Sequence, residues 1–151
     1  MEMASSTTSR EAGFTLIELL VVMLILGVLS AIALPAFFNQ KNKAGDVKAK
    51  QLVHTAQVAM EACASDNKGT YSTSCNLARL RAIEPTIPTS GVTPTPNNPV
   101  SGYTITANGA SGTVFKLVRS ATGALAYTCT VTSTNRGGCP GSAKANGVWG
   151  P

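Results

Sequence analysis

Glu18 is the residue that most invites a chemical reading. It is the one charge in the 25-residue apolar run Phe14–Phe38, FTLIELLVVMLILGVLSAIALPAFF. An ionisable side chain within a membrane segment costs about 2.5–3.5 kcal/mol at mid-helix and less near an end, so it needs a partner. Phe14 lies four residues upstream, directly after Gly13. Cleavage after Gly13 would give Phe14 a free amine about 6 Å from Glu18 along a helix axis. Ammonium and carboxylate attract strongly in a low dielectric, and each lowers the other's desolvation cost. The pair can form within one helix. Formed between neighbouring copies, it would also fix an axial offset, and such a head-to-tail contact does not close on itself.

The cysteines are the second chemical group. Cys63, Cys75, Cys129 and Cys139 are even in number and suit a disulfide framework in an oxidising compartment. Three pairings are open. Nearest-neighbour pairing closes loops of about 13 and 11 residues, each contributing about 2.8 kcal/mol in the chain-entropy model. No cysteine pair has a metal-ligand spacing such as C-x₂-C. No metal and no cofactor is therefore expected. Conventional catalysis finds little support either. His54 is the one histidine, and it lies off the apolar stripe of its segment, where a solvated helix residue is expected. Beyond Glu84 there is no carboxylate side chain and no histidine for a general acid–base pair. A glycine-rich phosphate loop, H-E-x-x-H and a nucleophile elbow are all missing. An enzyme is not expected.

The element that positions Glu18 must be a helix. About 20 helical residues cross a bilayer core, so Phe14–Phe38 is long enough. A secretory signal peptide is the rival reading, with Leu19–Leu29 as its apolar core and Ala31-Ile32-Ala33 as its cleavage site. The run exceeds the roughly 7–15 residues such a signal needs, and it contains a carboxylate.

The string Gly13-Phe14-Thr15-Leu16-Ile17-Glu18-Leu19-Leu20-Val21-Val22 resembles the N-terminal signature of type IV pilins and pseudopilins. The likeness extends from Gly13 to about Asn39. It implies that a prepilin peptidase cuts after Gly13 and methylates Phe14, and that Glu18 guides assembly by meeting the Phe14 amine of an adjacent subunit. It also implies a long helix packed on a small sheet. Residues 1–13 are then a leader, 14–38 a transmembrane and filament-core helix, and 39–151 a globular head. A surface filament of like or mixed subunits follows, built by a pilus or type II secretion platform from a single-pass precursor in the cytoplasmic membrane. A pair Cys129–Cys139 would resemble the C-terminal disulfide loop of many type IV pilins.

Gly27 and Pro35 punctuate the span. Proline lacks an N–H and clashes with the carbonyl four residues back, so Pro35 should kink the helix. The resemblance implies that the stretch between them can lose helical order in a filament. The flanking charges pull the other way. The leader holds one basic residue, Arg10, whereas Lys41, Lys43, Lys48 and Lys50 follow the span. The positive-inside rule alone would put the C-terminal side in the cytoplasm. Cytoplasmic prepilin peptidase, which the resemblance implies, and the cysteines outweigh it.

Past the span, Ala49, Leu52, Val53, Ala56, Met60 and Cys63 fall at helical spacings. The helix should therefore continue to about Ala64. Asp66–Thr70 is turn chemistry. Ser74–Glu84 reads as a short helix with Leu77, Leu80 and Ile83 inward. Five of the eight prolines lie between Pro85 and Pro99, which predicts an ordered surface connector. Tyr103–Ala107, Thr113–Arg119 and Leu125–Val131 read as strands, separated by Asn108-Gly109 and Thr122-Gly123. In the third, Leu125, Tyr127, Cys129 and Val131 should share one face. The expected fold class is α+β: a long N-terminal helix against a three- or four-stranded antiparallel meander.

Without residues 1–13 the chain keeps 11 basic and 5 acidic side chains, a net charge of +6 (Arg10, Glu2 and Glu11 depart with the leader). Lys116, Arg119, Arg136 and Lys144, with Tyr103, Tyr127 and Trp149, could contact the phosphates and bases of DNA, which the competence pili of the resembled family take up. A mildly basic solvated surface is the favoured reading. The major pseudopilins of type II secretion, which the chain also resembles at Gly13–Pro35 and around Asp66–Tyr71, typically bind calcium through acids of their C-terminal region. Their absence here favours a surface pilin over a secretion pseudopilin.

Overall fold

The computed structural model describes residues 13–97, 101–132, 137–140 and 147–150. Helix α1 runs from Leu16 to Asp66, 51 residues with Pro35 inside it. The chain divides after Phe37 into two units. In the first, residues 13–37 are all exposed. The helix is unbroken from Gly27 through Pro35. Ser30 satisfies its hydroxyl by donating to the Leu26 carbonyl at 2.6 Å, which suits an apolar surrounding.

The second unit begins at Phe38. Here α1 becomes one-sided, burying Asp46, Ala49, Val53, Ala56, Ala59, Met60, Cys63 and Ala64. Only Leu52 of the expected stripe is merely half-buried. The helix ends where Gly69 donates its N–H back to the Ala64 carbonyl at 2.8 Å and Asn67 caps the Cys63 carbonyl. Lys68 and Gly69 both have positive φ there, 56° and 80°. Helix α2, Leu77–Ile83, is shorter than the Ser74–Glu84 expected because Asn76 caps it, accepting the Arg79 N–H at 3.1 Å.

Among the described residues, five antiparallel strands follow in simple order: β1 Val92–Pro96, β2 Tyr103–Asn108, β3 Val114–Arg119, β4 Leu125–Thr130 and β5 Gly147–Val148. The fold is α+β and pilin-like, with two more strands than the three legible as strong β runs. β1 corrects the reading of residues 85–99 as connector. Its prolines, Pro94 and Pro96, sit two apart, so their missing N–H groups face the same way. Gly91 and Asn97, in phase with Thr93 and Thr95, bond to β2 through the Asn108 N–H and the Gly102 carbonyl. Both prolines therefore present their backbone nitrogens to the outer edge, where a strand tolerates them and further pairing is blocked.

The inner face of the sheet carries Tyr103, Ile105, Phe115, Leu117, Tyr127 and Cys129, all buried with the α1 stripe. Leu125 departs from the expected alternation: it is exposed at the start of β4. The first hairpin is also looser than Asn108-Gly109 suggests. Asn108 closes β2, and the turn runs from Gly109 to Thr113, with the positive φ at Gly112. Gly109 is required for space instead, because a Cβ there would overlap Asp46 Oδ1 and the Phe115 ring. Both disulfides are nearest-neighbour. Cys63–Cys75 ties α1 to the entry of α2, and Cys129–Cys139 ties β4 to the loop after it.

Candidate functional site: the Phe14–Glu18 end of the helix

The helix begins at Leu16 because Thr15 caps it. The Thr15 hydroxyl accepts the Glu18 N–H at 3.3 Å and lies 3.5 Å from Glu18 Oε2. Threonine followed three residues later by glutamate is a capping box, and a carboxylate in the first turn complements the helix dipole. Glu18 is thus held at the helix start with its charge facing out. Phe14, Glu18, Leu19 and Val22 line a shallow apolar depression of about 340 Å³. Phe14 is 83% exposed and Leu16 89%. Twenty or more apolar side chains without cover cannot stay in water. This helix therefore requires lipid or other helices around it, and Glu18 is the polar group presented to that surrounding. The spacing from Phe14 to Glu18 was legible in the sequence. The cap at Thr15 was missed, although its T-x-x-E signal lies in the same string.

The second unit holds two carboxylates that sequence reasoning passed over. Asp46 is fully buried. It accepts Ser111 N–H at 3.0 Å, Ser111 Oγ–H at 2.7 Å and Gly138 N–H at 2.8 Å. It thereby joins α1 to the β2–β3 turn and to the Cys139 loop. A Cβ at Gly137 would overlap Asp46 Oδ2. Lys50 completes the clasp by donating to the Gly138 carbonyl at 2.7 Å. The missed signal was periodic: Asp46, Ala49, Val53, Ala56, Met60 and Cys63 step by three and four, which puts a carboxylate on the buried stripe.

Glu61 is the other. It accepts Tyr71 Oη–H at 2.6 Å and Tyr103 Oη–H at 2.8 Å, and pairs with Arg119 Nε at 3.1 Å. Burial, then the bonded Glu61 carboxylate, pushes the Tyr71 phenol up to about 12, and the same causes raise Tyr103 further. Arg119 also lies over the Tyr71 ring at 5.0 Å and donates to the Ser101 carbonyl at 3.1 Å.

That network withdraws Tyr103 and Arg119 from the set of expected DNA contacts. Tyr103 is fully buried, Tyr127 is buried, and Arg119 is engaged within the fold. Arg136 and Lys144 lie outside the described residues. Lys116 is exposed. Trp149 packs half-buried in an aromatic cluster, edge-on to Tyr127 and Phe115, and donates Nε1–H to the Thr128 carbonyl at 2.8 Å. His54 is exposed as expected but not isolated, its ring lying 5.4 Å from that of Trp149. Among the described residues no group of three or more His, Cys, Asp or Glu side chains could hold a metal ion.

Residues 8–34 match the family model of the prokaryotic N-terminal methylation motif. The chain is 38% identical over 95 residues to a type II secretion system core protein G of Pectobacterium carotovorum subsp. carotovorum, covering 62% of this chain and 57% of that protein. It is 42% identical over 60 residues to the prepilin peptidase-dependent protein D of Escherichia coli K12, covering 40% and 41%. The type IV major fimbrial protein FimA of Dichelobacter nodosus is 37% identical over 60 residues, covering 40% and 38%. The chain thus spans between 38% and 57% of the length of these relatives. No solved structure matches it. In its methylation motif, its long helix with an antiparallel sheet, and its match to these relatives, the chain is similar to type IV pilins and pseudopilins.

Proposed function

We propose that the chain is a structural subunit, without catalytic activity, of a type IV pilus-like extracellular filament. The observation that carries this is a wholly exposed apolar helix whose one carboxylate, Glu18, follows Phe14 by four residues. A prepilin peptidase removes residues 1–13 and methylates Phe14. The precursor crosses the cytoplasmic membrane once, N-terminus inside, with residues 14–38 as the span. On assembly the apolar helix leaves lipid for a core of like helices, and Glu18 meets the Phe14 amine of a neighbouring subunit. Glu18 then exchanges the Thr15 hydroxyl for a full charge partner. Gly27 and Pro35 mark the stretch that can loosen as the helices pack.

A second reading has its own support. Several relatives are named type II secretion system core protein G, which favours a pseudopilin of a secretion apparatus. The absence of carboxylate side chains beyond Glu84 favours the surface pilus. N-terminal mass analysis of the mature protein tests both. A chain beginning at N-methylated Phe14 in filaments sheared from cells supports the pilus. The same start confined to the envelope supports the pseudopilin. A chain beginning at Leu34 marks an ordinary secreted protein and ends the filament reading.

A further inference from the structure

The lysines that contradict the positive-inside rule have no role in assembly as proposed. Lys50 is used within the head, bonded to the Gly138 carbonyl and lying over Phe115 at 5.2 Å. Lys41, Lys43 and Lys48 are exposed, and among the described residues none forms an ion pair. The carboxylate nearest in sequence, Asp46, is buried and fully bonded to the head. Residues 39–48 therefore carry three exposed cations and no exposed anion.

We infer that Lys41 and Lys43 bind the anionic headgroups of the bilayer in which the span sits, on the face away from the N-terminus. The inference rests on the membrane-spanning reading above. Three observations support lipid as the occupant. Phe38 ends the apolar run, and Asn39, Gln40 and Asn42 are polar, so the hydrocarbon boundary falls at Phe38. Lys41 and Lys43 then stand about 4.5 Å and 7.5 Å beyond it along the helix. The polar layer on each side of a bilayer core is about 5–7 Å deep, so both ammonium groups reach phosphate, the first without stretching. Finally, the two lysines are about 200° apart around the helix. One flat protein partner cannot meet both, whereas an annulus of headgroups can. Lys48, about 15 Å beyond Phe38, lies past this layer, where screening over roughly 8–10 Å leaves it little influence. The lysine surplus then reports lipid contact after translocation instead of topology. It also opposes withdrawal of the subunit from an anionic membrane.

The test uses the full chain reconstituted in phosphatidylcholine vesicles, with trace spin-labelled phosphatidylglycerol or spin-labelled phosphatidylcholine. The motionally restricted fraction of each label, read by electron paramagnetic resonance, gives the relative association. One surface lysine favours an anionic headgroup by about fivefold, and that preference for phosphatidylglycerol is the minimum expected. It falls with added salt, collapses to about unity in Lys41→Gln/Lys43→Gln, and survives in Lys48→Gln. Equal association of the two labels, a preference that survives the double variant, or one indifferent to salt overturns the inference. Normal lipid selectivity with lost filaments in the double variant would assign the lysines to a subunit contact instead and overturn it too. Resistance to alkaline extraction reports insertion separately. A chain that never inserts overturns the spanning reading together with the inference, whereas insertion without selectivity overturns the inference alone.

Discussion

The two units of the chain solve opposite problems. The head buries an apolar core, and among its described residues every buried side-chain polar atom has a hydrogen-bond partner. A clasp at Asp46 and a network at Glu61 bind one helix to one small sheet, while two disulfides tie α1 to the entry of α2 and β4 to the loop after it. The apolar side chains of residues 14–37 are exposed, and among the described residues Glu18 meets a threonine hydroxyl and its own helix start. A carboxylate inside the head is a fastener whose partners are built in. Glu18, in the proposed filament, takes its partner from a neighbouring subunit. The same side-chain type thus has different roles, set by whether its surroundings come from its own chain.

The comparison breaks most visibly at Glu18. Replacing it with glutamine should leave the head's fold and the span's insertion intact. It should lower filament yield by about a hundredfold or more, the scale of breaking a buried ion pair worth roughly 3–5 kcal/mol. Immunoblots of sheared and envelope fractions would read this, and normal filament yield in Glu18→Gln would sink the pairing. The head's fasteners come next. Asp46→Ala leaves Ser111 and Gly138 donors without an acceptor and should cost about 3 kcal/mol. Replacing Cys129 and Cys139 together with serine should cost a similar 2–5 kcal/mol. Urea unfolding of a fragment beginning at Asn39 measures both. The two changes act on one loop, so the triple variant should lose less than the sum. Strict additivity would separate the clasp from the disulfide.

Much of this division was legible in the residues. The apolar run, Gly13-Phe14 and Glu18 are adjacent in the chain, so their chemistry is local and the sequence displays it. The α1 stripe and three strands were legible for the same reason, since periodicity is a local property. What escaped depended on contacts between distant residues. Asp46 meets groups 65 and 92 residues away. Glu61 gathers phenols from Tyr71 and Tyr103 and a guanidinium from Arg119, which composition presents as a surface cation. β1 was hidden by Pro94 and Pro96, whose effect on a strand depends on which side is the edge. β5 is two residues long, and only its pairing with Thr128 and Cys129 defines it.

The Glu61 network sharpens the comparison through pH. Tyr71 and Tyr103 hold their protons more tightly in the folded head than in the open chain, where a phenol titrates near 10. A raised acid pKa adds stability that is whole below the unfolded value and is lost as pH rises toward the folded one. The head should therefore be at full strength at pH 8 to 9 and weaken from about pH 10 to 12. Tyr71→Phe should flatten part of that loss. Urea midpoints across this range, with the tyrosinate absorbance followed in parallel, would show it. A midpoint that does not move between pH 9 and 11.5 would mean that the phenols are not held as drawn.

The smallest expected effect separates the two cations that sequence alone treats alike. Arg119→Gln removes the ion pair to Glu61, the cover over Tyr71 and the bond to the Ser101 carbonyl. The guanidinium is partly exposed, so the loss should be only about 1 kcal/mol. Lys116→Gln, on the outer face of β3, should stay within about 0.5 kcal/mol of the parent. Salt-sensitive binding of DNA to the same fragment would give Lys116 a function, and it should weaken in Lys116→Gln while Arg119→Gln left it intact. Equal destabilisation by the two changes would mean that Arg119 is a surface charge like any other. The head would then rest on its disulfides and Asp46, with Glu61 a rim contact instead of a fastener.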